Sequence, residues 1–182
     1  MSINFRPLSA TDENFSKVID LYKSAFTTVR HVPAWMLKLK HRKGKVGFNS
    51  IYDGDTWLGL IYTTEHWFGH KTDHQETVFV HFFAISDAIR SGGYGSQVLD
   101  FLKAQCLGKR IILNVETLDE SESNYPQRVK RRAFYDKNGF VSSGYVIEDT
   151  SEQLDMLISG GRIHKEEIEV IYRQLYRGIR GL

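Results

Sequence analysis

The chain has 182 residues, 41% of them hydrophobic and 25% charged, and a formal net charge of +2. This composition is ordinary for a globular protein with a sizeable core, so we expect a single domain over residues 1–182. The nearly balanced charge argues against a nucleic-acid partner, because domains that bind nucleic acid are usually strongly basic.

The sequence shows neither a membrane span nor an export signal. Its longest apolar runs, such as residues 78–85, are far too short to cross a bilayer, and the start MSINFRPLSATDE lacks the basic and apolar regions of a signal peptide. The one cysteine, Cys106, can form no internal disulfide and no cysteine metal site, as is usual in a reducing compartment. We therefore expect a cytoplasmic protein without a membrane partner.

The N-terminal part is predicted to contain a strand, two helices and a β-hairpin. Apolar residues recur at helical spacing from Phe15 to Phe26, and the period changes to two from Val46 onward, on both sides of a turn at Gly54. The predicted elements are a strand at 4–8, helices at 15–26 and 34–41, and hairpin strands at 46–52 and 57–64. The second helix runs into a basic segment, residues 38–45.

The middle of the chain is predicted to form a βαβ unit. Residues 77–85 are a near-continuous apolar run, typical of a strand buried on both faces. A glycine loop, a helix and a second apolar run at 110–115 follow, and this order makes the two strands parallel. The later predicted elements are a helix at 127–138 ended by Gly139, hairpin strands at 140–147 and 153–158, and a final helix at 165–177. The fold class is mixed α/β.

Three glycines, Gly92, Gly93 and Gly95, stand between the strand at 77–85 and the helix after it. Such a helix start offers free backbone N–H groups at the positive end of the helix dipole, which suits a phosphate. The loop is no Walker A motif, since no Gly-Lys-Ser/Thr follows, and it lacks the third glycine of a dinucleotide fingerprint. The alternative is that the glycines only make a tight turn.

What remains is the pattern Arg-x-x-Gly-x-Gly at residues 90–95, preceded by the strand end Ala84-Ile85. A second motif, Phe134-Tyr135-Asp-Lys-Asn-Gly139-Phe140, follows at a helix end. In this order and with this context, the two motifs resemble the signatures of the GNAT superfamily of acyl-CoA N-acyltransferases. The resemblance covers residues 4–158 and implies a mixed, mostly antiparallel central sheet with one parallel strand pair at the cofactor cleft, flanked by helices.

The resemblance implies acetyl-CoA as cosubstrate and no metal. Backbone groups of the loop would hold the coenzyme A pyrophosphate, and those of the preceding strand would pair with the pantetheine arm like an added strand. The cofactor contacts so implied are Phe83, Ile85, Arg90, Ser91, Gly92, Gly93, Gly95 and Ser96. Arg128, Arg131 and Arg132 share one helix face, which makes Arg131 a further candidate; a solvated basic face is the alternative. The family's usual pattern has an asparagine at the position of Arg128.

Acyl transfer from a thioester to an amine needs a base for the amine proton and an acid for the departing thiolate. By its place in the second motif, Tyr135 matches the family's acid. The candidate bases are His81, in the strand at 77–85, and Glu116, at the end of the parallel neighbour strand. In a regular strand His81 shares a face with Phe83 and Ile85. The alternatives are a core role for His81 and ordered water as the base.

Two further patterns occur in the sequence. His66, His70 and His74 recur every four residues, but their segment contains Gly69 and joins two strands, which argues against a metal site on a helix. An acidic loop at 116–122 follows the strand at 110–115. The resemblance implies that the end of this strand borders the acceptor site. We hypothesise that the carboxylates of the loop attract a cationic amine; a flexible solvated loop is the alternative.

The predicted function is transfer of acetyl from acetyl-CoA to a primary amine of a small-molecule or peptide acceptor, by direct attack in a ternary complex. The alternative is a coenzyme A-binding module that regulates or scaffolds without catalysis. The apolar face of the final helix is expected either to close the core or to pair with a second copy in a homodimer.

Overall fold

The computed structural model describes residues 2–9, 13–26, 46–68, 75–89, 92–149 and 152–177. Its strands are β1 (Ile3–Pro7), β2 (Val46–Asp53), β3 (Thr56–His66), β4 (Thr77–Ile85), β5 (Arg110–Glu116), β6 (Val141–Asp149) and β7 (Glu152–Ser159). Its helices are α1 (Phe15–Ala25), α2 (Tyr94–Gln105), α3 (Tyr125–Lys137) and α4 (Lys165–Arg177). The predicted helix at 34–41 and the basic segment at 38–45 lie outside the described residues.

The strands form one mixed sheet in the order β1-β2-β3-β4-β5-β7-β6, with β4 and β5 as its parallel pair. Where these two strands begin, the Arg110 N–H donates to the Glu76 carbonyl at 2.9 Å. The two predicted hairpins are present as β2-β3 and β6-β7. The predicted fold class, a mixed and mostly antiparallel sheet with one parallel pair, is confirmed.

The chain divides into two compact units. Unit 1 comprises Met1–Glu65 and Val80–Leu107, and unit 2 comprises His66–Phe79 and Gly108–Leu182. The single domain expected from the sequence stays a prediction. No helix within the described ranges is both long and apolar enough to cross a membrane.

An aromatic core holds unit 1 together. The helix α1 turns Val18 and Tyr22, four residues apart, toward the sheet, and the Tyr22 ring packs edge-on against Phe82 of β4, with centroids 4.9 Å apart. The buried side chains of the cluster are Val18, Leu21, Tyr22, Phe48, Leu60, Tyr62, Phe82 and Ala84. This packing supports β3 and the second half of β4, which carry candidate site residues.

Unit 2 has an aliphatic core under α4. Ile168 and Ile171 recur at helical spacing and pack against β5 and β7. The buried side chains of this cluster are Phe79, Ile112, Met156, Ile158, Ile163, Ile168 and Ile171. The apolar face of the final helix therefore closes a core, one of the two roles expected from the sequence.

A buried ion pair joins the start of β5 to α4. Arg110 and Glu167 are only 2% and 1% exposed. The Arg110 Nη2 donates to Glu167 Oε1 at 2.6 Å, and Nη1 donates to Oε2 at 2.9 Å. The other guanidinium N–H groups donate to the Thr77 hydroxyl and to the carbonyls of Gln75 and Arg162. Since every donor has an acceptor, the charge is tolerated in the core.

Removal of one partner should destabilise the protein strongly. Glu167→Ala leaves a buried guanidinium without its carboxylate, so we expect a loss of about 3–5 kcal/mol in the free energy of unfolding, measured by urea denaturation. The control Glu76→Ala removes the more exposed ion pair with Lys109, whose N–O distance is 3.1 Å, and should cost at most about 1 kcal/mol. Equal losses in the two variants would contradict the special role of the buried pair.

Candidate active site

In unit 1, β4 is followed by the glycine loop and α2. The strand ends at Ile85, and a 3₁₀ turn at Asp87–Ile89 comes next. Gly93 adopts φ +75° as the N-cap of α2, a left-handed conformation that strains residues with a Cβ. Its neighbour Gly92 is exposed. The predicted contacts Arg90 and Ser91 lie outside the described residues.

The start of α2 is a row of backbone donors. The Gln97 N–H donates to the Gly93 carbonyl at 3.3 Å, which begins the helix ladder. The N–H groups of Tyr94, Gly95 and Ser96 have no acceptor among the residues that the structure describes. Free N–H groups at the positive end of a helix attract anions. The geometry is suited to a phosphate, and the contact itself stays a prediction.

His81 of β4 lies against β3. Its Nε2 shares a hydrogen bond of 2.8 Å with the Thr64 hydroxyl. The Tyr62 ring contacts the rings of both His81 and Phe82, at centroid distances of 4.9 and 5.8 Å. Burial alternates along this part of β4: His81, Phe83 and Ile85 are half-buried, whereas Phe82 and Ala84 are buried. This alternation is the one expected if His81 shares a face with Phe83 and Ile85, and that expectation stays a prediction.

A glycine of β3 accommodates the end of β4. A Cβ added to Gly59 would lie 2.1 Å from the Ala84 carbonyl oxygen, so this backbone oxygen occupies the space of a side chain. The flanking residues Phe83 and Ile85 are half-buried. Gly59 was not among the predicted residues, although a glycine inside a strand is a known sign of close backbone approach.

In unit 2, Tyr135 of α3 is buried beside two phenylalanines. It is 8% exposed, and its ring lies 5.1 and 5.7 Å from those of Phe134 and Phe140. Burial raises the pKa of Tyr135 to about 12, although nearby Arg131 lowers it, and Glu116 raises it further. The phenol therefore stays protonated at neutral pH and can donate a proton. Its hydroxyl has no hydrogen-bond partner among the described residues.

Glu116 ends β5 and forms an ion pair with Arg131. Burial by itself raises the pKa of this carboxyl, but the hydrogen bond and charge of Arg131, helped by Arg128, lower it below its usual range. An ionised carboxylate with a low pKa is a weak base. Glu116, Arg131 and Tyr135 thus come together in unit 2, and Glu116 is better suited to hold a cation than to accept an amine proton.

The arginines of α3 do not form the solvated basic face that the sequence allowed. Arg128 is 5% exposed and donates to the Asn124 side chain and the Thr117 carbonyl. It also lies 3.4 and 3.5 Å from the carboxylates of Glu122 and Glu152. The position where the family has an asparagine therefore fastens the acidic loop to β7.

The remaining two arginines also contact carboxylates. Arg132 pairs with Asp136 and with the largely buried Asp155, while Arg131 pairs with Glu116 and keeps 43% of its side chain exposed. Of the three, Arg131 therefore stays the candidate for a phosphate contact, which would compete with its ion pair.

Other residues that stood out in the sequence have a structural explanation wherever the structure describes them. His66 is buried and its Nδ1 is hydrogen bonded to Gln174 at 2.8 Å, while His70 and His74 lie outside the described residues. Cys106 is a free, buried thiol. No group of three or more His, Cys, Asp or Glu side chains suited to a metal ion occurs within the described ranges.

A family model described as the acetyltransferase (GNAT) family matches residues 15–140. The chain therefore belongs to this family of acetyltransferases, as its motifs indicated. No curated protein sequence matches the chain.

Solved structures share the fold along most of the chain. A protein from Bacteroides thetaiotaomicron, described as a GNAT-family acetyltransferase, has a TM-score of 0.74 and 23% identity, covering 98% of this chain and 99% of that one. Naa50 of Arabidopsis thaliana, solved with the bisubstrate analogue CoA-Ac-MVNAL, has a TM-score of 0.57 and 18% identity, covering 87% and 99%. An aminoglycoside 6′-N-acetyltransferase complexed with coenzyme A has a TM-score of 0.62 and 13% identity, covering 87% and 96%.

The close approach at Gly59 can be tested by one methyl group. Gly59→Ala places a Cβ against the Ala84 carbonyl, so we expect a loss of about 1–3 kcal/mol in the free energy of unfolding from overpacking. The control is Gly47→Ala in β2, where a Cβ would meet the side-chain ends of Asn49 and Thr63. These ends can rotate, so the control should lose less stability; the reverse order would contradict the account.

The low pKa of Glu116 should appear in the pH dependence of stability. Because the folded pKa lies below the unfolded one, the ion pair stabilises the fold above the usual carboxyl range, and this stability is lost as pH falls through the folded pKa. The wild-type protein should therefore have a larger free energy of unfolding than Glu116→Gln at pH 7. This difference in free energy, measured by urea denaturation, should shrink below about pH 4.3. Glu148→Gln, at an exposed site of β6, is the control. A difference independent of pH would refute the prediction.

Proposed function

We propose that this protein is an acyl-CoA-dependent N-acetyltransferase, which transfers acetyl from acetyl-CoA to a primary amine by direct attack in a ternary complex. The observation that carries the proposal is the start of α2. There the N–H groups of Tyr94, Gly95 and Ser96, which follow the left-handed Gly93, have no acceptor within the described part of the chain and are suited to an anion. Family membership makes the coenzyme A pyrophosphate the natural occupant.

In this proposal the glycine loop and the end of β4 supply the cofactor contacts. The loop residues Arg90 and Ser91, the glycines after them and Ser96 bind the pyrophosphate, and the backbone groups of Phe83 and Ile85 pair with the pantetheine arm. The relatives solved with coenzyme A or with a coenzyme A bisubstrate analogue support acetyl-CoA as the cosubstrate. No resident metal is needed for this chemistry, since the thioester is already activated toward an amine.

The chemistry is one substitution at the thioester carbon. The neutral amine nitrogen attacks, the C–S bond breaks, and the thiolate receives a proton from Tyr135, which burial keeps protonated. The amine must first lose a proton, because a free alkylammonium has a pKa near ~10.4. We assign this proton to His81 or to a water molecule that it holds, in preference to Glu116, whose carboxylate binds Arg131.

The acceptor is proposed to be a small-molecule or peptide amine in the cytoplasm. The acidic loop favours a cationic amine, since Asp119 and Glu120 are exposed there. If neutralising these two carboxylates left the acceptor KM unchanged, the loop would have no part in attraction.

The second candidate is a coenzyme A-binding module without catalysis. Two observations favour it: Arg128 replaces the family's asparagine and is buried in ion pairs, and the Glu116 carboxylate is engaged by Arg131. Isothermal titration with acetyl-CoA, followed by a screen of amines with a free-thiol readout, separates the two. Binding with turnover supports the enzyme, binding without turnover supports the module, and no binding refutes both.

Removal of the Tyr135 hydroxyl should impair the chemical step. Tyr135→Phe keeps the packed ring but removes the proton donor, so we expect kcat to fall by about 100-fold with little change in the affinity for acetyl-CoA. The matched control is Tyr125→Phe at the start of α3, which should keep kcat. An unchanged kcat in Tyr135→Phe would remove Tyr135 from the mechanism.

A further inference from the structure

The contact between Glu116 and Arg131 bears on Tyr135. Arg131 precedes Tyr135 by four residues, so the two side chains lie on the same face of α3. The Arg131 guanidinium donates to the Glu116 carboxylate at the end of β5. An arginine side chain that is 43% exposed would otherwise sample many rotamers. The ion pair therefore restricts where the positive charge stands.

We propose that Glu116 and Arg131 are positioning residues for Tyr135: Glu116 holds the Arg131 guanidinium where its charge stabilises the phenolate left when Tyr135 gives up its proton. The inference rests on the proposed role of Tyr135 as the acid. It gives Glu116 a function other than that of the base, and it gives Arg131 a function besides the predicted phosphate contact.

The chemistry shows why a fixed cation is useful here. The Tyr135 O–H bond breaks, the proton joins the coenzyme A sulfur, and the negative charge passes to the phenol oxygen until solvent returns a proton. Burial raises the pKa of Tyr135 to about 12, whereas a thiol has a pKa near ~8.5. The transfer is therefore uphill, and a positive charge near the phenolate lowers its free energy.

The neighbouring charges act in opposite directions. Besides the effect of burial, Arg131 lowers the pKa of Tyr135, and Glu116 raises it to a smaller extent. Arg128 faces Glu116 and lowers the pKa of that carboxyl, and Arg132 is paired with other carboxylates. Glu116 thus opposes the phenolate by its own charge but favours it by holding Arg131, and these two effects can be separated by substitution.

A fluorinated tyrosine incorporated at position 135 tests the proposal without turnover. Its phenol titrates at a lower pH than that of tyrosine, and its ¹⁹F resonance reports the ionisation directly. Arg131→Gln should raise the pKa of this phenol by about 0.5–1 unit. Glu116→Gln keeps an acceptor for Arg131 but removes the negative charge, so it should lower the pKa by about 0.5 unit. Glu116→Ala also releases Arg131 and should give a higher pKa than Glu116→Gln.

The control is Lys130→Gln, which removes an exposed positive charge from the same helix and should move the pKa by less than about 0.2 unit because water screens it. The proposal is overturned by no shift in Arg131→Gln, by shifts of equal sign in Arg131→Gln and Glu116→Gln, or by equal values in Glu116→Ala and Glu116→Gln. If the expected shifts appear but acetyl-CoA does not bind, this arrangement of charges stands and the proposed function fails.

Discussion

The buried Arg110 guanidinium is the constraint on which unit 2 depends. A charge inside a core is tolerated only when its donors are satisfied, and Arg110 meets this condition with the hydroxyl of Thr77, two backbone carbonyls and the Glu167 carboxylate. The same carboxylate accepts the His164 N–H at 2.8 Å, so it also caps the start of α4. The Arg110 side chain thus connects the beginnings of β4, β5 and α4. From that start, seven residues of β5 lead to Glu116.

Burial has opposite outcomes for the two titratable groups at the end of β5 and on α3. For Tyr135, burial outweighs the effect of Arg131, and the phenol stays protonated at neutral pH. For Glu116, the hydrogen bond and charge of Arg131 outweigh burial, and the carboxylate stays ionised. The cause is distance: Arg131 is in direct contact with Glu116 and acts on Tyr135 only through space. A proton donor and an ion pair can therefore be close neighbours in unit 2.

Much of the fold could be predicted because it depends on local signals. The predicted elements include every strand and α-helix that the structure describes, and the glycines marked the start of α2 correctly. The environment of His81 could not be predicted, because its contacts with Thr64 and Tyr62 of β3 depend on how the two strands pair. The burial of Arg128 was equally hidden, because three arginines on one helix face look alike until their carboxylate partners are known.

The sequence by itself determined the family, the order of the elements and the residues of its two motifs, because these follow from spacing along the chain. Only the tertiary structure decided what the charged side chains do. It paired Glu116 with Arg131, buried Arg128 among carboxylates, and set Thr64 beside His81. The physical reason is that charge and hydrogen bonding depend on distances between residues far apart in the chain, and these distances exist only after the strands and helices have packed.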